Sequence, residues 1–369
     1  MIYPLLPVFL TTVLGANASF IGAVEGAAQS VAALLKLASG WWSDKVRKRK
    51  PLIVAGYVIA AVARPFIALA QSATVVLGVR LIDRVGKGIR TAPRDALLAD
   101  SAEPGSRGRA FGFHASMDNA GAVIGPLVAY ALLTYFDVSI RSVFWLAAIP
   151  GALAVVVLIV AVKEVERHRP QATTEFVPDL TSPKRLGRPF WTYLLVVLIF
   201  TLGNSTDAFL LLRANELGVA VALAPILWAL LNLVKATFGT WGGALSDQIG
   251  RRPLIIAGWL LYAAVYFGFA RATDQWHAWA LVASYGLFYA LTEGSEKALV
   301  ADFVPQERRG AAFGWFNLAI GLGALPASLI FGAIWDRAGS PLAFSFGAMM
   351  ALIAATGLLF VAPRTSLAR

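Results

Sequence analysis

The chain has 369 residues, 58% of them hydrophobic and 14% charged, with a net charge of +11 and no cysteine. A water-soluble domain carries about 25% charged residues, and a mean hydropathy of +0.68 leaves no polar surface to offer water. An ordinary soluble enzyme, a disordered chain, a disulfide-stapled secreted domain and a thiolate metal site are thereby excluded. The positive excess reads as lysine and arginine gathered in cytoplasmic loops rather than as a nucleic-acid surface.

A membrane-spanning helix takes about 20 apolar residues. Ile2 to Leu14 is apolar but too short to span, and it lacks the basic start and cleavage site of a signal peptide. Hydrophobic runs broken by charge and by Gly/Pro/Asn/Asp clusters then predict eleven long helices. They run over 17–43, 51–71, 73–99, 107–136, 141–162, 189–212, 219–246, 252–272, 276–302, 308–337 and 341–361. One polar stretch, Lys163 to Arg188 with Pro170, Pro178 and Pro183, is long enough to be a linker. It divides the chain into an N-terminal bundle over 1–162 and a C-terminal bundle over 189–369.

The two halves repeat each other. Gly40-Trp-Trp-Ser-Asp44-Lys-Val-Arg47-Lys48-Arg49 recurs 203 residues later as Gly243-Ala-Leu-Ser-Asp247-Gln-Ile-Gly250-Arg251-Arg252. Ala99-Asp100 recurs as Ala301-Asp302, and Gly108-Arg-Ala-Phe111-Gly112 as Gly310-Ala-Ala-Phe313-Gly314, both at an offset of 202. Parallel repeats of six helices are the plan of one large transporter class. The same offset places the start of the first helix about fifteen residues before Met1. Met1 to Leu14 is therefore expected to be the second half of a truncated first helix.

Charge placement predicts topology. The loops at 44–50, 102–109, 163–188, 247–252 and 303–309, with the C-terminal tail, hold 19 of the 32 Lys and Arg. The opposite loops hold only Arg141, Arg213, Arg271 and Arg337. The positive-inside rule puts the first set, and the C-terminus, in the cytoplasm.

At this point the chain resembles the major facilitator superfamily over essentially its whole length. The family pattern Gly-x-x-x-Asp-Arg/Lys-x-Gly-Arg-Arg/Lys is met by Gly243, Asp247, Gly250, Arg251 and Arg252, with Gln248 off-pattern. Its first copy is met by Gly40, Asp44, Lys45, Lys48 and Arg49, with Arg47 in place of the glycine. Gly112, Gly121, Gly125 and Pro126 match four of six positions of a pattern associated with exporters that exchange substrate for protons; Ala129 and Tyr130 replace the last two. Physically, those small residues allow close helix approach and Pro126 bends the helix. Arg84 to Asp100 looks like a bacterial subset of these permeases, some linked to nickel resistance. With three histidines and no cysteine, no metal site is predicted here.

The resemblance implies an all-α fold of two six-helix bundles related by a pseudo-two-fold axis. It also implies that Asp44, Asp247 and their basic neighbours Lys45, Arg47, Lys48, Arg251 and Arg252 meet Asp100 and Asp302, locking the halves and exchanging partners during the cycle. The alternative is that the basic loops only set orientation.

Charges inside the bilayer are expensive unless paired or hydrated. The predicted spans contain basic Lys36, Arg64, Arg80, Arg84, Lys87, Arg90, Arg94, Lys235 and Lys297, against acidic Glu25, Asp83, Asp95, Asp118, Asp207, Glu293 and Glu296. On the fourth helix Arg80, Asp83, Arg84, Lys87, Arg90, Arg94 and Asp95 form one polar stripe at 3–4 spacing, which cannot face lipid. Its central part is expected to bind an anionic group or tune a carboxylate. The alternative is that its last turns reach the headgroups.

The 202 offset sets Arg94-Asp95 against Glu296-Lys297 with signs inverted, so a gate pairing Arg94 with Glu296 and Asp95 with Lys297 is expected, or else pairing within each half. A carboxylate in an apolar cavity loads and unloads a proton near neutral pH. Asp118, one turn from His114 and beside Asn119, is the first candidate; Glu25 and Asp207, the latter one turn from Asn204, follow. A buried ion pair with Arg64 or Arg84 is the alternative.

The sequence therefore predicts a plasma-membrane secondary transporter, monomeric, with no cofactor, no nucleic-acid partner and no enzymatic chemistry. Its partners would be a small-molecule substrate, protons and the lipid bilayer. Proton-coupled efflux is the leading mode. Uptake of an anionic metabolite, or a receptor or scramblase on the same fold, are the alternatives.

Overall fold

A computed structural model describes Leu6 and residues 9–14, 18–46, 48–165, 186–220 and 223–361. Most of the linker (166–185), Arg47 and the last eight residues lie outside these, as does the side chain of Glu25. The described residues are almost entirely helical and contain no strand.

After a short π-helical turn at Phe9–Val13, thirteen α-helices follow: α1 Ala18–Lys45, α2 Lys50–Ala63, α3 Ala73–Ser101, α4 Arg107–Tyr135, α5 Ile140–Leu146, α6 Ala148–Ala161, α7 Arg188–Gly203, α8 Ala208–Glu216, α9 Ala224–Ile249, α10 Arg251–Arg271, α11 Gln275–Phe303, α12 Arg309–Ala338 and α13 Ser340–Leu359. Seven helical segments are long and apolar enough to cross a membrane by composition alone. The long helices α1, α3, α9 and α11, which carry interior charges, are not among those seven.

Three predicted spans are not single regular helices. Pro65 follows the end of α2, and the chain continues as a 3₁₀ turn over Arg64–Leu69. The predicted helix 141–162 is divided at Ala147, just before Pro150. The predicted helix 189–212 stops at Gly203 and restarts at Ala208. The four residues between, Asn204-Ser205-Thr206-Asp207, have side chains that compete for backbone hydrogen bonds and so favour helix ends over helix interiors.

The chain forms two compact units. One comprises Met1–Ser101, Ala122–Pro183 and Gln306–Leu318; the other comprises Ala102–Gly121, Lys184–Pro305 and Ala319–Arg369. Each follows one sequence half but includes a short segment of the other half. In the first unit α1 and α2 pack on α3; in the second α9 and α10 pack on α11, the same arrangement at the repeat offset. Leu6, Phe9 and Leu10 are buried against Ala63, Ile67, Val76 and Phe144, so the apolar N-terminal piece is part of the first unit's core.

Two glycines of the repeated motif have structural reasons. Gly250 joins α9 to α10 in a single residue at φ +96°, a conformation that side chains disfavour. Gly243 lies so close to Gly108 that a Cβ would overlap its carbonyl. Gly243→Val is therefore expected to destabilise by about 1–3 kcal/mol, read as a lower melting midpoint in detergent. Gly121, whose Cβ would meet nothing within 4 Å, should tolerate the same change.

Candidate functional site

The break between α7 and α8 organises the second unit. Ending a helix inside a span frees carbonyls that need donors. The Tyr262 hydroxyl supplies one, donating to the Gly203 carbonyl at 2.9 Å. The Tyr285 hydroxyl lies 2.9 Å from Asp207 Oδ1 and 3.3 Å from Asn204 Oδ1. It has one proton to give, and the nearer acceptor is Asp207.

Tyr289 stands one turn along α11, its hydroxyl 3.5 Å from that of Tyr285. Lys235 of α9 places its Nζ 3.5 Å above the Tyr289 ring centroid, a cation–π contact. Glu293, one turn further, lines a small cleft with Lys235, Tyr289, Gly112 and Gly239. Asp207 and Glu293 are the carboxylates that act on the Lys235 ammonium. A hydroxyl chain thus runs from Asp207 at unwound backbone along α11 to the cleft that holds Lys235 and Glu293, and unwound backbone is where discontinuous spans hold ions and substrates.

Removing the Tyr285 hydroxyl leaves Asp207 without that donor. Tyr285→Phe is expected to lower the melting midpoint by the equivalent of about 1–3 kcal/mol, and Tyr289→Phe by less. Equal effects would show that the Asp207 contact is unimportant.

A second feature occurs once in each unit. Asp44 accepts the backbone N–H groups of Gly310 and Ala311 at 2.9 and 2.7 Å, capping the start of α12, and also takes Arg49 Nη2 at 2.8 Å. Asp247 accepts the N–H groups of Gly108 and Arg109 at 2.9 and 2.8 Å, capping the start of α4, and pairs with Arg251. Carboxylates at helix N-termini meet both free donors and the favourable end of the dipole.

Each cluster contains a second carboxylate. Asp100 pairs with Arg49 and Arg309. Asp302 pairs with Arg251 Nε at 2.6 Å and Arg107 Nη1 at 2.8 Å. The first cluster is the drier. The side chains of Arg49 and Asp100 are 0% and 1% exposed, against 10% and 33% for Arg251 and Asp302.

Some expected partners are engaged elsewhere. Lys45 lies over the Trp41 ring, Lys48 is exposed, and Arg252 donates to the carbonyls of Leu358 and Leu359. Of the basic residues expected at Asp100 and Asp302, Arg251 is there, Arg49 does the work in the first copy, and Arg107 and Arg309 were overlooked. Their signal was readable, since Arg107-Gly108 recurs as Arg309-Gly310 at the 202 offset.

In the first unit, Arg64 Nε pairs with Asp83 at 2.8 Å and Arg80 lies 3.7 Å from the same carboxylate. Arg80, Asp83 and Arg84 are buried, and Lys87 is half-buried. Arg94 pairs with Asp95 at 3.1 Å on its own helix. Glu296 accepts from Trp259 Nε1 at 2.9 Å.

Asp118, expected in an apolar cavity, has a side chain 67% exposed, with His114 Nδ1 3.8 Å away. Asn119 donates back to the Ala115 carbonyl. Gly112 packs against the Gly239 carbonyl, while Gly125 and Pro126 lie within α4. The structure thus links Asp207 and Asn204 through Tyr285 and Tyr289 to the cleft of Lys235 and Glu293, and leaves the Asp118 side chain exposed. The tyrosines of that cluster carry no charge and fit a hydrophobic pattern, which is why the sequence did not single them out.

The profile of the Major Facilitator Superfamily matches residues 1–234 and 204–369. An uncharacterized MFS-type transporter of Methanocaldococcus jannaschii is 35% identical over 367 residues, covering 98% of this chain and 90% of that protein. Multidrug resistance protein MdtH of Photorhabdus laumondii is 25% identical over 331 residues, covering 88% of this chain and 79% of the relative. Among solved structures, the proton:xylose symporter XylE superposes with a TM-score of 0.75 at 17% identity, covering 96% of this chain and 90% of that one.

Proposed function

The chain belongs to the Major Facilitator Superfamily, and from that premise we propose that this multi-pass membrane transporter exports a small molecule in exchange for protons. The observation that carries this reading is the cluster at the α7–α8 break. Asp207 and Glu293 together outweigh Lys235 by one negative charge. In a low-dielectric site that charge calls for a proton or a cation. Proton loading would neutralise the cluster, and proton release would restore Asp207 as acceptor for Tyr285. Relatives named for multidrug resistance favour export as the direction.

The paired aspartate clusters supply the conformational part. Each clips the start of a helix from one sequence half to the end of a helix from the other. Alternating access requires such contacts to break and re-form. On the positive-inside rule this side is cytoplasmic, the C-terminus with it, and the membrane is the plasma membrane.

A second reading, uptake of an anion, is favoured by the basic residues of α3. Reconstitution into liposomes separates the two. With pyranine trapped inside, export by exchange predicts proton movement opposite to substrate flux, and loss of that coupling in Asp207→Asn. Movement of both in one direction supports uptake, and flux indifferent to an imposed pH gradient defeats proton coupling altogether.

A further inference from the structure

Buried hydroxyls in the long helices of the second unit are satisfied locally. Thr201, Thr292 and Ser295 each donate to the carbonyl four residues earlier, the usual arrangement for serine and threonine inside a helix. Ser205 departs from this. It is 5% exposed, and its Oγ has no hydrogen-bond partner among the described residues. It lies past the end of α7, where the Thr201 carbonyl four residues back takes the Asn204 N–H at 3.0 Å. The Tyr266 hydroxyl faces it without closing a hydrogen bond. A buried hydroxyl left unpaired is costly, and a bound ion is one of the few reasons for keeping one.

The residues beside it offer further oxygens. Asp207 occupies the capping position of α8, yet its carboxylate makes no cap hydrogen bond and turns to Tyr285 instead. Tyr285 has one proton, so Asn204 Oδ1, 3.3 Å from the same hydroxyl, goes without it. The second Asp207 oxygen accepts no hydrogen bond among the described residues. Tyr262 spends its proton on the Gly203 carbonyl. Oxygen acceptors therefore outnumber protons at the break.

Charge and donor type select the ion. Glu293 shares its cleft with Lys235, which leaves Asp207 as the one carboxylate of the Asn204-Ser205-Thr206-Asp207 break. One carboxylate with amide and hydroxyl oxygens balances a single positive charge. Calcium takes about six to eight oxygens, commonly from several carboxylates, and transition metals favour imidazole or thiolate. Potassium is held by cages of carbonyls, more oxygens than this break supplies. At unwound membrane helices, oxygens of this kind coordinate sodium.

We propose that Asp207, Asn204 and Ser205 bind a sodium ion at the α7–α8 break. This rests on the reading of the break as the coupling site, and it adds sodium to the proton as an ion that Asp207 holds. The negative end of the α7 dipole, at Gly203, favours a cation in the same place. The ion would satisfy the Ser205 oxygen that the protein itself leaves unpaired.

The full-length protein, purified in a neutral maltoside detergent, is melted by tryptophan fluorescence in sodium, potassium or choline chloride at one pH and matched ionic strength. The expected result is a midpoint that rises with sodium and saturates, while potassium and choline give the same lower value. Ser205→Ala keeps the carboxylate and should weaken the apparent sodium affinity by about tenfold. Asp207→Asn should abolish the response. Ser284→Ala, which removes an exposed hydroxyl bonded back to Ala280, should not alter it. If Ser205→Ala does not fold, Asn204→Ala removes a second oxygen of the same site and should also weaken the response.

Equal shifts with sodium and potassium, or no shift with either, overturn the site. A sodium-specific shift that survives Ser205→Ala at full affinity puts the ion elsewhere and overturns it as well. The proton reading is judged separately, by the liposome experiment. A sodium shift that needs Ser205, in a protein whose flux ignores a pH gradient, upholds the site and counts against proton coupling alone. Gradient-driven flux without any sodium shift does the reverse.

Discussion

Arg49→Ala is expected to lose about 3–5 kcal/mol of stability, the largest single effect in the chain, because it removes one partner of a buried charge network. The guanidinium is wholly buried and binds Asp44 and Asp100 together. Without it Asp44 retains two backbone donors and Asp100 retains Arg309, so each carboxylate is left partly compensated in a dry site. Arg49→Lys should recover little, since one ammonium does not reproduce a planar fork reaching two carboxylates.

The repeat provides the internal control. Arg251→Ala removes the matching guanidinium, but Asp302 is one-third exposed and water can replace part of the lost contact. Its effect is expected to be about half as large. Melting of both variants in the same detergent checks the order, and equal losses would mean that burial does not set the strength of these clusters.

Most of the helical layout was legible because a bilayer admits few solutions. Each span must satisfy its own backbone, so long apolar runs become helices, and the predicted ends fall within a few residues of the observed ones. The paired clusters were legible for another reason: Asp44 and Asp247, Asp100 and Asp302 recur at a fixed offset, and repetition marks residues that hydropathy cannot. The α7–α8 break was missed because its flanks are apolar enough to hide four polar residues in one continuous run, although Asn-Ser-Thr-Asp is a helix-ending sequence.

The tyrosine chain was missed because contact between Tyr285 and Asp207 joins residues 78 apart. Spacing along one helix carries no information about a partner on another. In the sequence Asp118 stands out by its mid-helix position, one turn from His114 and beside Asn119. Position fixes depth along the helix, but not whether the side chain is enclosed.

Asp207→Asn is expected to remove the dependence of transport on the proton gradient while leaving exchange of substrate for substrate. Coupling between a proton and a second ligand commonly amounts to between 5- and 150-fold in affinity, so the pH-dependent part of substrate affinity should fall by about tenfold. The reasoning is one of charge. In the native cluster two carboxylates face one ammonium, and a proton completes neutrality. Asparagine fixes the neutral state, so nothing further is gained by protonation. Glu293→Gln makes the same change on α11 and is expected to act alike.

Lys235→Met does the opposite, leaving two carboxylates uncompensated, and should favour proton loading so strongly that release becomes limiting. The double variant Asp207→Asn with Lys235→Met restores a single net negative charge on Glu293. It is therefore expected to recover part of the gradient dependence that Asp207→Asn loses. If Asp207→Asn responds to the gradient as the native protein does, the proton is carried elsewhere, and the exposed Asp118 beside His114 becomes the next residue to replace. If the double variant is no better than the single one, it is the hydrogen bond from Tyr285 to Asp207, rather than the charge balance of the cluster, that couples the proton to the cycle.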